Sequence, residues 1–185
     1  MTKPEVLIGV CGGIAAFKTA ALVSQLVQAG FGVQVAMTES ARKFVGPATF
    51  AALSGRPVAT EVFEDDRYPL GAHITLSQQC RLFCVAPATA NFMAKAAQGV
   101  ADDLLSTLYV CARSPVLLAP AMNSEMWNHV AVQRNLAQLR ADGVEFVEPE
   151  QGWLSCRQSG VGRMASPDRI LAEIESRLGR NVLPG

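Results

Sequence analysis

Ala121, Met122 and Asn123 lie between a short apolar run, Val116-Leu117-Leu118, and a helical pattern over residues 125–140. That arrangement predicts a turn at the carboxyl end of a buried strand, where open parallel α/β sheets bind their ligands. Asn123 would bring a carbonyl acceptor and an amide donor to the positive end of the next helix, with Ser124 as its N-cap. A carboxylate would be well held there, although the same residues would also serve as a plain strand-to-helix connection. A second candidate is Cys11-Gly12-Gly13-Ile14-Ala15, a bare backbone turn at a helix N-terminus, with the hydroxyls of Thr38 and Ser40 after the following strand. Such a turn suits a phosphate, and it would equally make ordinary turns and caps. It is not the G-x-G-x-x-G fingerprint, so it gives little support to a dinucleotide. His73 opens a helical segment after Gly71; a lone histidine is more often structural than catalytic, and His129, inside the 125–140 pattern, is read as structural.

The elements that must position these residues follow from periodicity. Strands are expected at residues 6–10, 33–37, 82–86, 116–118 and 144–147, of which 6–10, 82–86 and 116–118 are short apolar runs suited to buried parallel strands. Helices are expected at 14–29, 47–54, 73–79, 91–98, 102–111, 125–140 and from Ser166-Pro167-Asp168, a cap, first-turn proline and first-turn acid, to about residue 178. Residues 41–70 lose periodicity apart from the short helix, and Glu61, Glu64, Asp65, Asp66 and Arg67 read as solvated surface. Residues 149–164 hold Gly152, Gly160 and Gly162 without periodicity and read as a mobile loop. Strands alternating with helices predict a single domain over residues 1–185, a three-layer α/β/α sandwich of five or six mostly parallel strands, Rossmann-like in plan. Thr38, Asn91 and Asn123 all follow strand ends, so they should converge on one edge of the sheet.

Composition narrows the function. Half of the 185 residues are hydrophobic, and 16 Lys plus Arg balance 16 Asp plus Glu, which recommends neither nucleic acid nor an anionic membrane as partner. No apolar run has the length of a membrane span, and residues 6–16 are better used as strand, turn and helix than as a signal peptide. A cytoplasmic location is therefore expected. The five cysteines are odd in number and form no C-x-x-C pair, against both a disulfide framework and a structural zinc site. Cys11, Cys80, Cys84 and Cys111 sit in or beside apolar runs, as core thiols do; Cys156 does not.

Six segments in order, Gly12-Gly13-Ile14-Ala15-Ala16-Phe17-Lys18, His73-Ile74, Ala86-Pro87-Ala88-Thr89-Ala90-Asn91, Ala101-Asp102-Asp103-Leu104-Leu105, residues 120–127 and Gly160-Val161-Gly162-Arg163-Met164, resemble the flavin-containing cysteine decarboxylases. The resemblance implies flavin mononucleotide (FMN) as cofactor and no metal. Its phosphate would lie in the Gly12-Gly13 turn against Ile14 and Ala15, with Thr38 and Ser40 contributing, and Thr89, Ala90, Asn91 and Phe92 against the flavin. It further implies His73 as active-site base, Asn123 with Ala121 and Met122 at the substrate carboxylate, and Cys156 as proton donor to a late intermediate. Oxidising a CH2–SH group to a thioaldehyde gives the neighbouring carboxylate the electron sink it needs to leave, and the ene-thiol that results must then be reduced and protonated. The branch with the nearest motifs acts on the small molecule 4'-phospho-N-pantothenoylcysteine, giving 4'-phosphopantetheine for coenzyme A. The family assembles as homotrimers, or dodecamers built from them, with flavin at subunit contacts. Other branches oxidise a peptide's C-terminal cysteine, transfer a prenyl group to flavin, or serve as non-catalytic regulatory subunits. The chain departs from the family pattern at Arg157, where a small residue is common, at Cys80-Arg81 before the third strand, and at Phe17. The ligase often fused to this domain would be a separate protein.

Overall fold

The computed structural model describes residues 5–63 and 68–179, so Glu64, Asp65, Asp66 and Arg67 of the expected acidic surface lie outside the described residues. Five parallel strands, β1 (Val6–Val10), β2 (Val33–Met37), β3 (Leu82–Ala88), β4 (Val116–Pro120) and β5 (Glu145–Phe146), form one sheet in the order β2-β1-β3-β4-β5. The chain leaves β1 for β2 on one side and then crosses to β3 on the other, so the topological switch point falls between β1 and β3.

Side-chain alternation along β1 sets the two layers. Val6, Ile8 and Val10 face one core with Leu22, Leu26, Phe50 and Ile170, whereas Leu7 faces a second core with Phe83, Met93, Leu105 and Leu139. Helices α1 (Ala16–Gln28), α2 (Pro47–Ser54) and α8 (Pro167–Leu178) cover the first face; α3 (Ala72–Gln79), α4 (Ala90–Gln98), α5 (Leu104–Cys111) and α7 (Val130–Ala141) cover the second. In α8, Ile170, Ile174 and Leu178 recur every four residues and are buried, and Ser166 caps the helix by accepting from the Arg169 amide at 3.3 Å. Burying those three aliphatic side chains stabilises the helix by about 1.5–3 kcal/mol each.

The structure alters two expectations. The 125–140 helix is two: α6 (Ser124–Asn128) and α7 are separated by His129, which has extended backbone and whose Nδ1 accepts from the Ala131 amide at 3.2 Å. His129 is structural, as read, but as a cap that interrupts the helix. Residues 149–164, expected as a loop, form an antiparallel hairpin of β6 (Glu150–Trp153) and β7 (Ser159–Arg163) outside the main sheet. The five strands of the main sheet fall within the five or six expected. Among the thiols, Cys11, Cys80 and Cys84 are buried and Cys156 is exposed as expected, with Cys111 only partly covered.

Candidate active site

The carboxyl ends of β1, β2, β3 and β4, together with the β6–β7 hairpin, enclose a cavity of about 1070 Å³. Strand hydrogen bonding sets the relative height of its loops. The amide of Cys11 donates to Pro87 O at 3.3 Å, that of Thr38 to Val10 O at 3.0 Å, and that of Ala121 to Ala88 O at 3.1 Å. The cavity collects Gly12, Gly13, Ile14, Ala15, Thr38, Ser40, Thr89, Ala90, Asn91, Phe92, Ala121, Met122, Asn123 and Cys156 in one place.

The two glycines of the first turn do different work. A Cβ on Gly12 would stand 2.4 Å from the Ser40 Cβ, so this glycine lets the β1 and β2 loops touch. A Cβ on Gly13 would meet nothing nearer than Thr89 Cγ2 at 3.9 Å, so it would project into open cavity and cover a backbone that a ligand could otherwise approach. The Thr38 hydroxyl is engaged within its own turn, accepting from the Ala41 amide at 3.2 Å. Thr89 caps α4 through the Phe92 amide at 3.3 Å. Beneath them Cys11 is fully buried, and burial pushes its thiol up to about 12 against hydrogen bonding from Thr89, so it stays protonated. Bare amides at a helix start, a free Ser40 side and an apolar wall ending in Phe92 fit a phosphate-bearing planar cofactor.

Asn123, not Ser124, is the N-cap of α6: its Oδ1 accepts from the Met126 amide at 2.8 Å. The cap consumes the acceptor end of the carboxamide and leaves its N–H2 donors for a ligand carboxylate. Ser124 is freed for another contact, donating its hydroxyl to Val161 O at 2.8 Å. With the Met122 amide donating to Gly162 O at 2.9 Å, this fastens β7 to the β4–α6 turn. Gly160 and Gly162 are required by that docking: a Cβ would lie 2.1 Å from Ser124 Oγ at the first and 2.2 Å from Met122 O at the second. The hairpin turns through Ser155-Cys156-Arg157, where the Arg157 amide donates to Leu154 O and the Leu154 amide to Gln158 O, both at 2.9 Å. This is a three-residue loop whose last position takes left-handed backbone, and Arg157 does so with φ of 62°. A small residue, glycine above all, would fill that position with less strain.

His73 stands apart. It is on α3, is not among the residues lining the cavity, and packs its ring against Gly71, where a Cβ would lie 2.9 Å from its Cε1. Its Nδ1 is buried without a hydrogen-bond partner among the described residues.

Several lining residues had no role in the sequence reading. Lys95 is held by Asp102 at 2.6 Å and Asp103 at 2.7 Å. Burial works against its charge, but the two carboxylates outweigh burial and raise its pKa. Asp103 also caps α5 reciprocally with Ser106, a D-x-x-S pattern that the sequence carries openly. Lys18, Trp153 and Arg163 also line the cavity; Lys18 and Arg163 lie within the family-like motifs but are 145 positions apart, with no spacing signal to join them.

An open parallel sheet with a phosphate-type turn at its switch point, and a carboxamide donor on the loop after β4, fits a cofactor-binding protein of the α/β class. The chain belongs to the Flavoprotein family, which matches residues 1–179. It is 48% identical over 182 residues to the coenzyme A biosynthesis bifunctional protein CoaBC of Bacillus subtilis and 49% identical over 177 residues to that of Mycobacterium bovis. These matches cover 98% and 96% of this chain but 45% and 42% of those proteins, so the chain spans less than half the length of the curated relatives it matches. Among solved structures, a PPC decarboxylase mutant complexed with pantothenoylaminoethenethiol aligns with TM-score 0.84 and 26% identity over 96% of this chain and all of its own. The FMN-dependent cysteine decarboxylase SpaF aligns with TM-score 0.79 and 32% identity over 95% of both chains.

Proposed function

We propose that this chain is an FMN-dependent decarboxylase that converts 4'-phospho-N-pantothenoylcysteine to 4'-phosphopantetheine in coenzyme A biosynthesis. The observation that carries the reading is the meeting, in one cavity, of the Gly13 turn, the outward N–H2 of Asn123 and the Cys156 thiol. When bound, FMN supplies the two-electron acceptor and donor that the CH2–SH carbon requires.

The chain's own groups do the rest. Gly12, Gly13, Ile14, Ala15 and Ser40 would hold the cofactor phosphate, with Thr38 shaping the turn, and Thr89, Ala90, Asn91 and Phe92 would border the flavin. Asn123 Nδ2 would hold the substrate carboxylate in the Ala121–Met122 turn until it leaves as carbon dioxide. Cys156, on a hairpin that closes over the cavity, would donate the proton that completes the reduced product while the hairpin excludes water. His73 would take the thiol proton of substrate. Its place on α3, outside its own chain's cavity, fits a homotrimer, or a dodecamer of such trimers, in which it enters a neighbour's site and gives its orphan Nδ1 a partner. No helix among the described residues is long and apolar enough to cross a membrane, which fits the cytoplasmic location proposed for the protein.

The test is anaerobic incubation of the yellow, FMN-loaded protein with the substrate while mass is followed. Loss of one carbon dioxide with phosphopantetheine as product is expected. Yellow protein without turnover would move the reading to a peptide's C-terminal cysteine or to a regulatory subunit. His73→Asn should keep flavin and lose carbon dioxide release; Cys156→Ser should release carbon dioxide and accumulate the oxidised ene-thiol. Mixed oligomers of His73→Asn and Asn123→Ala chains should regain turnover, because some interfaces then pair an intact His73 with an intact Asn123. No recovery would refute the shared site.

A further inference from the structure

We infer that Lys18 and Arg163 form a subsite for a phosphomonoester dianion on the hairpin side of the cavity, and that the phosphate it takes is the substrate's. The inference rests on the decarboxylase reading and adds what recognises the end of the substrate remote from the reacting cysteine.

Both cations line the cavity and come from elements far apart in sequence, Lys18 from the first turn of α1 and Arg163 from the end of β7. Lys18 Nζ donates to Met164 O at 3.3 Å, which holds the ammonium beside the base of the hairpin. Arg163 lies across the neighbouring strand over Gly152, where a Cβ would stand 3.0 Å from both its Cδ and its Nη1. Glycine at 152 therefore gives the guanidinium its resting surface. Neither cation makes an ion pair with a carboxylate among the described residues. The nearby acids are otherwise engaged or elsewhere. Glu150 accepts from the Ser166 amide at 3.1 Å and lies 3.9 Å from Arg169, Asp102 and Asp103 hold Lys95, and Glu39 sits on the β2 loop. Burial, and after it the charge of Arg163, lowers the Lys18 pKa, with Glu150 opposing only in part. Two like charges kept together on the wall of a cavity, offset only in part by Glu150, are a cost that a dianion would remove.

The chemistry of the proposed substrate leaves one candidate for that dianion. Its carboxylate is assigned to Asn123, and its remaining charged group is the phosphomonoester at the other end. The flavin phosphate has its own donors in the Gly13 turn and Ser40. Arg163 moreover belongs to the hairpin that carries Cys156, so a phosphate bound there would hold the hairpin shut over the reacting end.

The test compares phosphopantothenoylcysteine with pantothenoylcysteine as substrates, and phosphopantetheine with pantetheine as ligands by calorimetry, on the FMN-loaded protein. The ratio of kcat/KM for the two substrates should fall about tenfold or more in Lys18→Gln and again in Arg163→Gln, as expected for charge-assisted hydrogen bonds. Gly152→Ala, which keeps both charges but displaces the guanidinium, should also lower the ratio and the calorimetric preference. Far-ultraviolet circular dichroism and the bound-flavin spectrum check that each variant is folded. Wild-type turnover with equal kcat/KM for both substrates, or an undiminished ratio in the variants, would overturn the subsite and leave the decarboxylase reading standing. Variants that bind FMN more weakly with the ratio intact would assign the cations to the flavin phosphate and overturn the substrate assignment. Turnover of neither compound by the wild type would sink the decarboxylase reading and the subsite together.

Discussion

Replacing Gly162 with alanine should detach the β6–β7 hairpin from the sheet edge while leaving the sheet folded. The new Cβ would stand 2.2 Å from Met122 O and 3.2 Å from Met122 C, against backbone that cannot swing away. The residue also has φ of 132°, a conformation that L side chains rarely adopt. Relief requires β7 to move, which breaks the bond from the Met122 amide to Gly162 O at 2.9 Å and strains that from Ser124 Oγ to Val161 O at 2.8 Å. Two hydrogen bonds at about 1 kcal/mol each, plus about 1–3 kcal/mol of backbone strain, weaken the docked hairpin by about 3–5 kcal/mol. At about 1.4 kcal/mol per tenfold, the docked population relative to the undocked falls by more than about a hundredfold. Limited trypsin digestion reads this directly, because Arg157 lies on the exposed loop and Arg163 at the end of β7. Cleavage there should accelerate strongly, while bound FMN and the melting of the sheet change little and the ene-thiol replaces phosphopantetheine as product. Ser124→Ala, losing one bond, should lie between variant and wild type. Wild-type cleavage rates in Gly162→Ala would refute the docking argument.

Asn123→Asp should preserve the α6 cap but set a carboxylate against the substrate's own, so substrate binding should collapse with melting nearly unchanged; equal KM would refute the assignment of Nδ2. Gly13→Ala should leave apo-protein stability intact and weaken FMN binding about tenfold or more, whereas Gly12→Ala should destabilise the fold itself through its clash with Ser40; identical behaviour of the two variants in melting and flavin titration would refute the distinction. Burial tends to raise the Asp103 pKa, but hydrogen bonds from Lys95, the Ser106 amide and the Ser106 hydroxyl, with the Lys95 charge, bring it below its ordinary 3.8. The unfolded chain then takes the proton first, so this stabilisation is full above about pH 5 and is lost as pH falls through 3.8 toward the depressed value. Asp103→Asn, which keeps a capping acceptor, should flatten the acid limb of urea-denaturation stability, and an unaltered limb would refute it. Arg157→Gly should keep the loop closed and Arg157→Val should open it, since a β-branched residue resists φ of 62°; equal yields of reduced product from both would refute the loop geometry.

The strands and the capped helices were legible because their signals are local. β1 and β2 fall on the hydrophobic-rich runs expected for them, α2 starts at Pro47 as expected, and α8 carries cap, proline and acid in sequence. The convergence of the β1, β2, β3 and β4 loops followed from parallel topology alone. The hairpin was not legible because burial of side chains contributes little to it: along β7 only Gly162 is buried, and the strand's carbonyls are held by one amide and one hydroxyl of a turn some forty residues earlier. Ser124 was read as the cap since serine commonly caps, and only the partner at Val161 explains why Asn123 takes that place instead. The break at His129 left no mark on periodicity, because a side-chain cap interrupts the backbone without disturbing the order of apolar residues.

The cavity is built from parts of unequal stability, and that inequality suits the reaction proposed for it. The side made by Gly12, Gly13 and Thr89 hangs on the hydrogen bonds of the central strands, which open only with the whole sheet. The opposite side, with Cys156 and Arg163, hangs on two hydrogen bonds to the β4–α6 turn, so it can lift at a cost of a few kcal/mol without disturbing the first. Asn123 sits at the junction. The amide before it holds Gly162, the hydroxyl after it holds Val161, and its own Oδ1 caps α6. A carboxylate pulling on Asn123 Nδ2 would tighten the turn to which the hairpin is fastened, and its departure as carbon dioxide would relax it. Closure would then be strongest while carboxylate and phosphate are both held, and the phosphate contact at Arg163 would keep Cys156 over the ene-thiol after carbon dioxide has left, which gives a physical order to binding, chemistry and release.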